Sequence, residues 1–422
     1  MNDMWKGLGF GPADILLPQG CDMGRWSVVA CDQYTSQPEY WQRVEASVGD
    51  CPSALRLILP EHMLEDGRVE AHIRDINRTM EDYLSQGLFR TCPDSLIYVE
   101  RTLRGGRVRR GLVGLVDLED YDFTPGSSAL IRATEGTVLS RIPPRAAVRR
   151  DAALELPHVM LLVDDRERTV VEPLTIRRQE METVYDFDLM EDSGHVTGRL
   201  LTRGQQEAVA SALRALADPA AFRARYGLGE DRPPMLFAVG DGNHSLATAK
   251  ACYEEAKGTP REALARYALV EVVNLHDISL EFEPIHRTVF GVEPEALLDG
   301  LLAAYPGATL NGGTEGQSFC FVYGGKEGTV TIPSPPSQLA VGTLQQYLDQ
   351  ALPQGAVLDY IHGADVARQL ARRERAISFL LPAMGKDELF RTVIHDGVLP
   401  RKTFSMGEAE DKRFYLEARK IR

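Results

Sequence analysis

A short turn in the chain combines two glycines, a carboxylate, an amide and an imidazole, which are Gly240, Asp241, Gly242, Asn243 and His244. The preceding MLFAV has the pattern of a buried strand, and the following SLATAKACYEEA is typical of a helix. At the start of a helix, free backbone N–H groups and the positive end of the helix dipole attract anions. Glycine permits a positive φ and close approach of a ligand to the backbone. The turn is therefore a candidate anion site.

The side chains of this turn have two interpretations. Asp241 would repel a bare phosphate, unless it binds a Mg²⁺ ion that bridges phosphate oxygens or accepts the proton of an attacking hydroxyl. Asn243 could orient a ligand, and His244 could act as an acid, a base or a donor to developing charge. Alternatively, Asp241 or Asn243 simply caps the helix. The P-loop, G-x-G-x-x-G and G-x-S-x-G motifs are not matched, so these residues predict a ligand site without a defined reaction.

Charge is unevenly distributed along the 422 residues, whose net charge is −14. Residues 101–150 hold ten arginines against five acidic residues and no lysine, so this segment is basic in an acidic protein. This segment has two interpretations. It is a second part of an anion site, because the planar guanidinium of arginine binds two oxygens of a phosphate or carboxylate, or it is a solvated strand face. The acidic total argues against a nucleic-acid partner.

Other function classes find little support in the sequence. The six cysteines are scattered without a C-x-x-C pair, and no H-E-x-x-H is present, which argues against a zinc site and a disulfide framework. No apolar run approaches the ~18 residues of a membrane span, and the N-terminus lacks the pattern of a signal peptide. We therefore expect no membrane partner and a cytoplasmic location.

Hairpins and helices alternate along the chain, which predicts a mixed α/β (α+β) fold rather than a regular doubly wound sheet. Hairpins are predicted around Gly105-Gly106, at Ser193-Gly194 and in SFCFVYGGKEGTVTIP; a long helix is predicted in GQQEAVASALRALADPAAFRARYG, and a strand in ALRLILP. The proline-rich PSPPSQLA suggests a boundary between a composite core, 1–335, and a C-terminal α/β subdomain, 336–422.

Six stretches, in this order, resemble the family catalogued as domain of unknown function 1015. They are VVACDQYTSQPEYW, RRGLVGLVDLEDYDF, IRATEGTVLSRIPPR, FAVGDGNHSLATAK, LVEVVNLHDISLEFEPIHRTVF and LPRKTFSMGEAEDKRFYLEARKI. Part of that family looks similar to free-serine kinases, which share a fold with ParB partition proteins and sulfiredoxin. The resemblance implies a ParB/sulfiredoxin-like core elaborated with β-hairpins and extra helices.

In those kinases an Asp-Gly-x-His-Arg corner opens a helix beside the nucleotide phosphates. Residues 241–244 match its first four places, whereas Ser245 replaces the arginine. A second family stretch, His-Glu-Arg-Thr, corresponds to residues 134–137, where Glu135 and the threonine match and Gly136 replaces the arginine. Two phosphate-binding arginines are thus missing. Candidates to compensate for them are Arg132, Arg141, Arg145 and Arg287.

His286, Arg287 and Asp32 are candidates on weaker grounds. His286 and Arg287 in EPIHRT either contribute to the site or serve as a strand cap and as an ion-pair partner of Glu281 or Glu283. Asp32 is a candidate base, because the serine kinases carry their base in an early segment. Cys31 beside it has no histidine near in sequence, which favours a buried thiol over a nucleophile.

Together with these residues, the resemblance implies a phosphotransferase that uses ATP or ADP with Mg²⁺ to phosphorylate a small hydroxyl compound such as serine. Asp241 would bind the metal or act as base, Asp32 and Glu135 would assist, and His244 would act on the phosphates. Contacts to the cofactor would come from Gly240, Gly242, Asn243, Ser245, Arg132, Arg141, Arg145, His286 and Arg287. The alternative is a non-catalytic regulator that binds a nucleotide or metabolite. The sequence sets neither the acceptor nor the oligomeric state.

Overall fold

The computed structural model describes residues 3–64 and 67–422 and confirms a mixed α/β fold. The chain divides into two compact units. Unit 1 comprises 1–280 and 408–422, and unit 2 comprises 281–407. The ParB/sulfiredoxin-like core stays a prediction.

Unit 1 is built on a large mixed sheet with order β11-β12-β5-β6-β14-β10-β13-β8-β7, and β1 pairs with β6. Three two-stranded ladders, β2-β4, β3-β22 and β9-β23, complete its strand pairing. The strands are β1 Phe10–Gly11, β2 Ala13–Pro18, β3 Val28–Val29, β4 Phe89–Ser95, β5 Ile97–Thr102, β6 Val108–Asp117, β7 Tyr121–Asp122, β8 Ile131–Arg132, β9 Leu154–Glu155, β10 Met160–Val163, β11 Glu182–Asp188, β12 His195–Leu200, β13 Phe237–Asp241, β14 Tyr267–Asn274, β22 Phe414–Tyr415 and β23 Arg419–Lys420.

Helices cover this sheet in unit 1. They are α1 Met23–Trp26, α2 Pro38–Val48, α3 Val69–Ser85, α4 Ile142–Arg150, α5 Glu172–Ile176, α6 Arg203–Leu216, α7 Pro219–Tyr226, α8 Asn243–Ala256 and α9 Glu262–Ala265. Alternate residues of the central strands enter different apolar clusters: Ile97 and Val113 pack in one, whereas Tyr98 and Leu112 pack in another with Leu246 of α8. Because side chains alternate between the faces of a sheet, both faces are buried.

Unit 2 contains an antiparallel sheet with order β16-β18-β17-β20-β15-β19, and β21 pairs with β15. Its elements are β15 Phe282–Phe290, α10 Pro294–Ala304, β16 Thr309–Leu310, β17 Gln317–Tyr323, β18 Lys326–Ile332, α11 Ala340–Ala351, β19 Val357–His362, α12 Ala364–Leu370, β20 Ala376–Leu380, α13 Lys386–Asp396 and β21 Phe404–Met406. Within the described ranges of the whole chain, none of the helices is both long enough and apolar enough to cross a membrane.

The predicted hairpins are confirmed, whereas two other elements differ from prediction. The hairpins form as β5-β6, β11-β12 and β17-β18. The single long helix is wrong: Asp218 caps a new helix whose first residue is Pro219, so the segment forms α6 and α7. The strand in ALRLILP is also wrong, because Ser53 caps a 3₁₀ helix at Ala54–Leu57. A short apolar run does not distinguish these alternatives.

The division into units falls at residues 280 and 407, whereas the proline-rich segment suggested a boundary near 335. That segment lies between β18 and α11 inside unit 2. The last residues return to unit 1, where β22 pairs with β3 and β23 pairs with β9. The order of the elements along the chain does not predict that the C-terminal residues pack in unit 1.

Candidate functional site

The turn at residues 241–245 lies where three strands of the unit 1 sheet meet one edge. β8 runs parallel to β13, so the carboxyl ends of both strands reach this edge. β10 runs antiparallel to β13, with Met160 opposite Asp241, so the residues that precede β10 lie there too. Strand pairing thus brings together the segments 133–138, 158–159 and 241–245.

The start of α8 is free of side-chain caps. Gly242 precedes the helix with φ 81° and ψ 28°, and no side chain caps the helix terminus. A Cβ atom at this position would lie 3.1 Å from the Cα of Val159, in a conformation that side chains rarely adopt. Gly240 has no positive φ, contrary to expectation; a Cβ there would lie 2.8 Å from the Cγ of Leu162.

Asn243 and His244 hold the loop that follows β8. The side chain of Asn243 accepts from the backbone N–H of Thr134 at 3.1 Å and donates to the Thr134 hydroxyl at 3.2 Å. The Nε2 of His244 accepts from the N–H of Val138 at 3.3 Å. Asn243 is 8% exposed, so its amide serves chiefly to position this loop.

The loop 134–138 carries the second predicted stretch. Glu135 is half-buried there, and Gly136 is exposed with open space around the position of a Cβ. The hydroxyl of Thr137 is buried without a hydrogen-bond partner among the described residues. Because buried hydroxyls are normally bonded, this one is a candidate contact for a bound molecule.

Asp241 and Lys412 form an ion pair at this edge, and Lys412 also acts electrostatically on Asp32. Asp241 accepts from the N–H of Gly242 at 3.1 Å, and its other oxygen lies 3.4 Å from the Nζ of Lys412. Burial alone would raise the pKa of Asp32, but electrostatic interactions with His158 and Lys412 and a hydrogen bond from Gln33 lower it below its ordinary value. Asp32 is therefore ionised at neutral pH. We call residues 32, 134–138, 158, 241–245 and 412 the α8 site.

The C-terminal tail reaches this site because β22 pairs with β3. Tyr415 lies opposite Val28, and the N–H of Ala30 donates to the carbonyl of Arg413 at 3.0 Å. Arg413 is 2% exposed and donates to Glu271 at 2.8 Å, to Glu417 at 2.7 Å and to the carbonyl of residue 157 at 2.7 Å. This buried ion pair network places Lys412 beside the turn.

A hydrogen-bonded relay connects α8 with the tail. The hydroxyl of Ser245 lies 2.8 Å from Nε2 of His158, whose Nδ1 lies 2.9 Å from the hydroxyl of Tyr415. The same hydroxyl accepts from the N–H of Cys31 at 3.2 Å. Cys31 is half-buried, and burial of its thiol raises the pKa to about 12, so the thiol is protonated at neutral pH.

Two of the candidate arginines lie near His244. Burial lowers the pKa of His244, and the positive charges of Arg141 and Arg145 lower it further, so the imidazole is neutral at pH 7. Arg145 is paired with Glu61, whereas Arg141 is exposed. Arg132 is 6% exposed and donates to the backbone carbonyls of Ala129 and Pro233. Two of its three nitrogens therefore hold the backbone rather than point to the turn.

His286 and Arg287 belong to unit 2, where both are buried in β15. Nδ1 of His286 accepts from the N–H of Leu381 at 3.1 Å. Arg287 donates to the side chain of Gln345 at 3.0 Å and to the backbone carbonyls of residues 285, 401 and 402, and burial lowers its pKa to about 10. These contacts are typical of structural residues within unit 2.

The α8 site offers few ligands for a magnesium ion. Among the described residues, no cluster of three or more His, Cys, Asp or Glu side chains is arranged to hold a metal ion. Mg²⁺ is often held by one or two carboxylates together with phosphates and water. Asp241 is the carboxylate of the turn itself, and its oxygens contact the N–H of Gly242 and the Nζ of Lys412.

Sequence reasoning missed His158, Lys412 and Tyr415. His158 stands just before the apolar run of β10, and Lys412 lies in a charged tail without a clear periodicity. A local pattern does not single out either residue, because antiparallel pairing of distant segments brings them to the turn.

Comparisons with solved structures give only distant likenesses. A mutant of a free serine kinase in complex with ADP is 12% identical, with a TM-score of 0.38 over 75% of this chain and 93% of that chain. C-terminally truncated SbnI from Staphylococcus aureus is 10% identical, with a TM-score of 0.36 over 72% of this chain and 82% of that chain. These values are too low to assign an activity.

Sequence comparisons identify the family. A search of curated proteins found no match. The model of a family described as "Protein of unknown function (DUF1015)" matches residues 16–351, which is most of the chain. The protein therefore belongs to the DUF1015 family.

Proposed function

We propose that the α8 site binds the phosphates of ATP or ADP and transfers a phosphoryl group to the hydroxyl of a small molecule. The observation that carries this proposal is the start of α8, where a terminus without side-chain caps faces the Asp241–Lys412 pair, with Asp32 close by. Phosphoryl transfer depends mainly on positioning and on electrostatic stabilisation. A helix terminus, a lysine and two carboxylates at one edge supply both.

Each side chain has a distinct role in this proposal. Lys412 moves from Asp241 to the phosphates, and exposed Arg141 adds positive charge near His244. Because Nε2 of neutral His244 accepts from Val138, its proton is on Nδ1, which can donate to a phosphate oxygen. Asp32 is ionised and accepts the proton of the attacking hydroxyl.

Mg²⁺ would be held by Asp241 together with the nucleotide phosphates. The ion supplies charge neutralisation on the phosphates. This arrangement also removes the repulsion between Asp241 and a nucleotide, which would otherwise oppose binding at this helix terminus.

Thermal-shift measurements with ADP, ATP and CTP, each with and without Mg²⁺, test nucleotide binding by the purified protein. We expect a Mg²⁺-dependent rise in melting temperature that disappears in Lys412→Ala. Absence of a shift at millimolar concentration for every nucleotide would contradict the proposal.

Turnover is then tested with serine and other small alcohols as acceptors. Asp241→Asn should lower phosphoryl transfer by about 10²–10⁴-fold. Asp122→Asn is the matched control, because Asp122 also accepts a backbone N–H, from Thr124 at 2.8 Å, and lies outside the α8 site. Unchanged turnover in Asp241→Asn would remove Asp241 from the mechanism.

A regulator that binds nucleotide without turnover is the second candidate function. It is favoured by Gly136 and Ser245, which stand where the similar kinases have arginines, and by the engagement of Ser245 with His158. Nucleotide binding without consumption of nucleotide, together with equal or tighter binding in Asp241→Asn, would support this candidate over the first.

A further inference from the structure

A cavity of about 160 Å³ lies inside unit 1 and begins beside the first turn of α8. Ser245, Leu246 and Ala249 of α8 form one wall, and Val148 of α4 forms part of another. Most of the remaining lining is aliphatic, including Leu156. For comparison, an engineered apolar cavity of about 150 Å³ in another protein binds benzene. The space therefore suits an apolar body of about this size.

The polar end of the cavity adjoins the α8 site. Cys31, His158, Ser245 and Tyr415 line this end. Asp32 follows Cys31 in the chain and interacts electrostatically with His158. A Cβ atom at Gly242 would lie 3.5 Å from the Cδ2 of His158, which shows how close the cavity wall is to the start of α8.

The charged side chains that line the cavity are already paired. Arg145 pairs with Glu61, and Arg149 pairs with Glu155. Glu155 is also bound by Arg419 at 2.6 Å. An amino acid would bring an ammonium and a carboxylate into this space without ionic partners, and burying unpaired charges is costly. The cavity thus disfavours free serine as an occupant.

We propose that the phosphoryl acceptor is an alcohol whose apolar body, about the size of a benzene ring, fills this cavity. This inference rests on the proposed function. The hydroxyl lies at the polar end and its oxygen forms a bond to the terminal phosphorus of the nucleoside di- or triphosphate. The bond from that phosphorus to its bridging oxygen breaks, the shortened nucleotide leaves with the electron pair, and Asp32 accepts the hydroxyl proton.

The adenine base is the alternative occupant of the cavity, and the geometry disfavours it. In a nucleotide, a ribose and at least one further phosphate separate the base from the terminal phosphate. The cavity instead begins at residue 245, directly beside the helix terminus that would hold the phosphates. An acceptor hydroxyl must lie next to the terminal phosphate that it attacks. The adenine base does not need to lie close to that phosphate.

Benzyl alcohol is the probe for a direct binding test without nucleotide, monitored by saturation-transfer NMR on the intact protein. Val148→Phe should fill the cavity and weaken binding at least tenfold. Ala147→Phe is the matched control, because Ala147 is the neighbouring residue on α4 and does not line the cavity. Leu156→Phe provides a second way to fill the space if Val148→Phe does not fold. Thermal melting of each variant checks the fold.

Phosphorylation is followed separately by ³¹P NMR, with benzyl alcohol or serine as acceptor. Formation of a benzyl phosphate ester in the wild type and Ala147→Phe, but not in Val148→Phe, is the expected result. The inference is overturned by absence of benzyl alcohol binding, by serine phosphorylation that Val148→Phe leaves unchanged, or by loss of ATP binding in Val148→Phe. Benzyl alcohol binding that depends on the cavity, without nucleotide binding, would refute the proposed function and leave the apolar site established.

Discussion

The N-termini of α6 and α8 differ in how their backbone groups are satisfied. At α6, Thr202 accepts from the N–H of Gln205 at 3.4 Å, while the side chain of Gln205 accepts from the N–H of Thr202 at 2.9 Å. This capping box is complete within four residues. At α8, Gly242 precedes the helix and no side chain caps it.

The difference separates a terminus stabilised by its own side-chain cap from one without such a cap. A short local motif stabilises α6. The surroundings of α8 instead come from distant parts of the chain, namely the loop after β8, the segment before β10 and the tail around Lys412. Perturbing α8 should therefore affect both binding and stability, whereas perturbing the cap of α6 should affect stability alone.

The largest effect should follow loss of the arginine that anchors the tail at α8. Arg413→Met leaves the carboxylates of Glu271 and Glu417 buried and unpaired, so we expect a loss of about 3–5 kcal/mol in the free energy of unfolding. Nucleotide binding should also be lost, since Lys412 would no longer be held beside Asp241. Urea denaturation of unit 1, followed by tryptophan fluorescence, measures the first effect.

A triple variant provides the control for this prediction. Adding Glu271→Gln and Glu417→Gln to Arg413→Met removes the unpaired charges and should recover part of the lost stability. A loss below about 1 kcal/mol in Arg413→Met alone would contradict the anchoring role, because breaking a buried ion pair should cost more than that.

Gly242→Ala should have the next largest effect. A non-glycine residue in the left-handed region costs about 1–2 kcal/mol, and the contact with Val159 adds about 1 kcal/mol or more. Gly227→Ala is the control, because Gly227 ends α7 with φ 66° and has open space around the position of a Cβ. Only Gly242→Ala should weaken nucleotide binding in thermal-shift assays. Equal losses of stability in both variants would show that the contact with Val159 is unimportant.

Thr202→Ala should lower the free energy of unfolding by about 1 kcal/mol, since it removes the cap of α6. The nucleotide-induced rise in melting temperature should keep its wild-type size. Ser211→Ala, at an exposed position in the same helix, controls for the change in side chain. If Thr202→Ala altered nucleotide binding, the two termini would not be functionally distinct.

Local signals in the sequence were sufficient for several elements. Glycine turns between β-rich runs located the hairpins β5-β6, β11-β12 and β17-β18, and the change in apolar period located the turn between β13 and α8. The capping box of α6 involves residues only three apart, so a sequence pattern can identify it. These features depend on neighbours along the chain.

The partners of α8 were harder to predict because they depend on long-range pairing. Lys412 reaches Asp241 only because the tail returns to unit 1, and His158 does so because β10 runs antiparallel to β13. Composition likewise gave no indication that Arg132 and Arg287 would be buried among backbone carbonyls. Arginine-rich sequence predicts charge, whereas the direction of each guanidinium depends on packing.

The smallest predicted effect concerns the pH dependence of stability at His244. Burial and two neighbouring arginines lower its pKa, and its Nε2 accepts from Val138 only when unprotonated. In the unfolded chain the imidazole takes up a proton near pH 6.5. On acidification the unfolded state therefore binds this proton first, and the His244 contribution to the free energy of unfolding, present at neutral pH, is lost as the pH falls below about 6.5.

His244→Gln tests this dependence, because glutamine keeps an acceptor for the N–H of Val138 but does not titrate. The free energy of unfolding of this variant should decline less than that of the wild type between pH 7 and 5. If the two proteins lose stability in parallel, His244 has the same pKa in the folded and unfolded states, which would contradict the prediction.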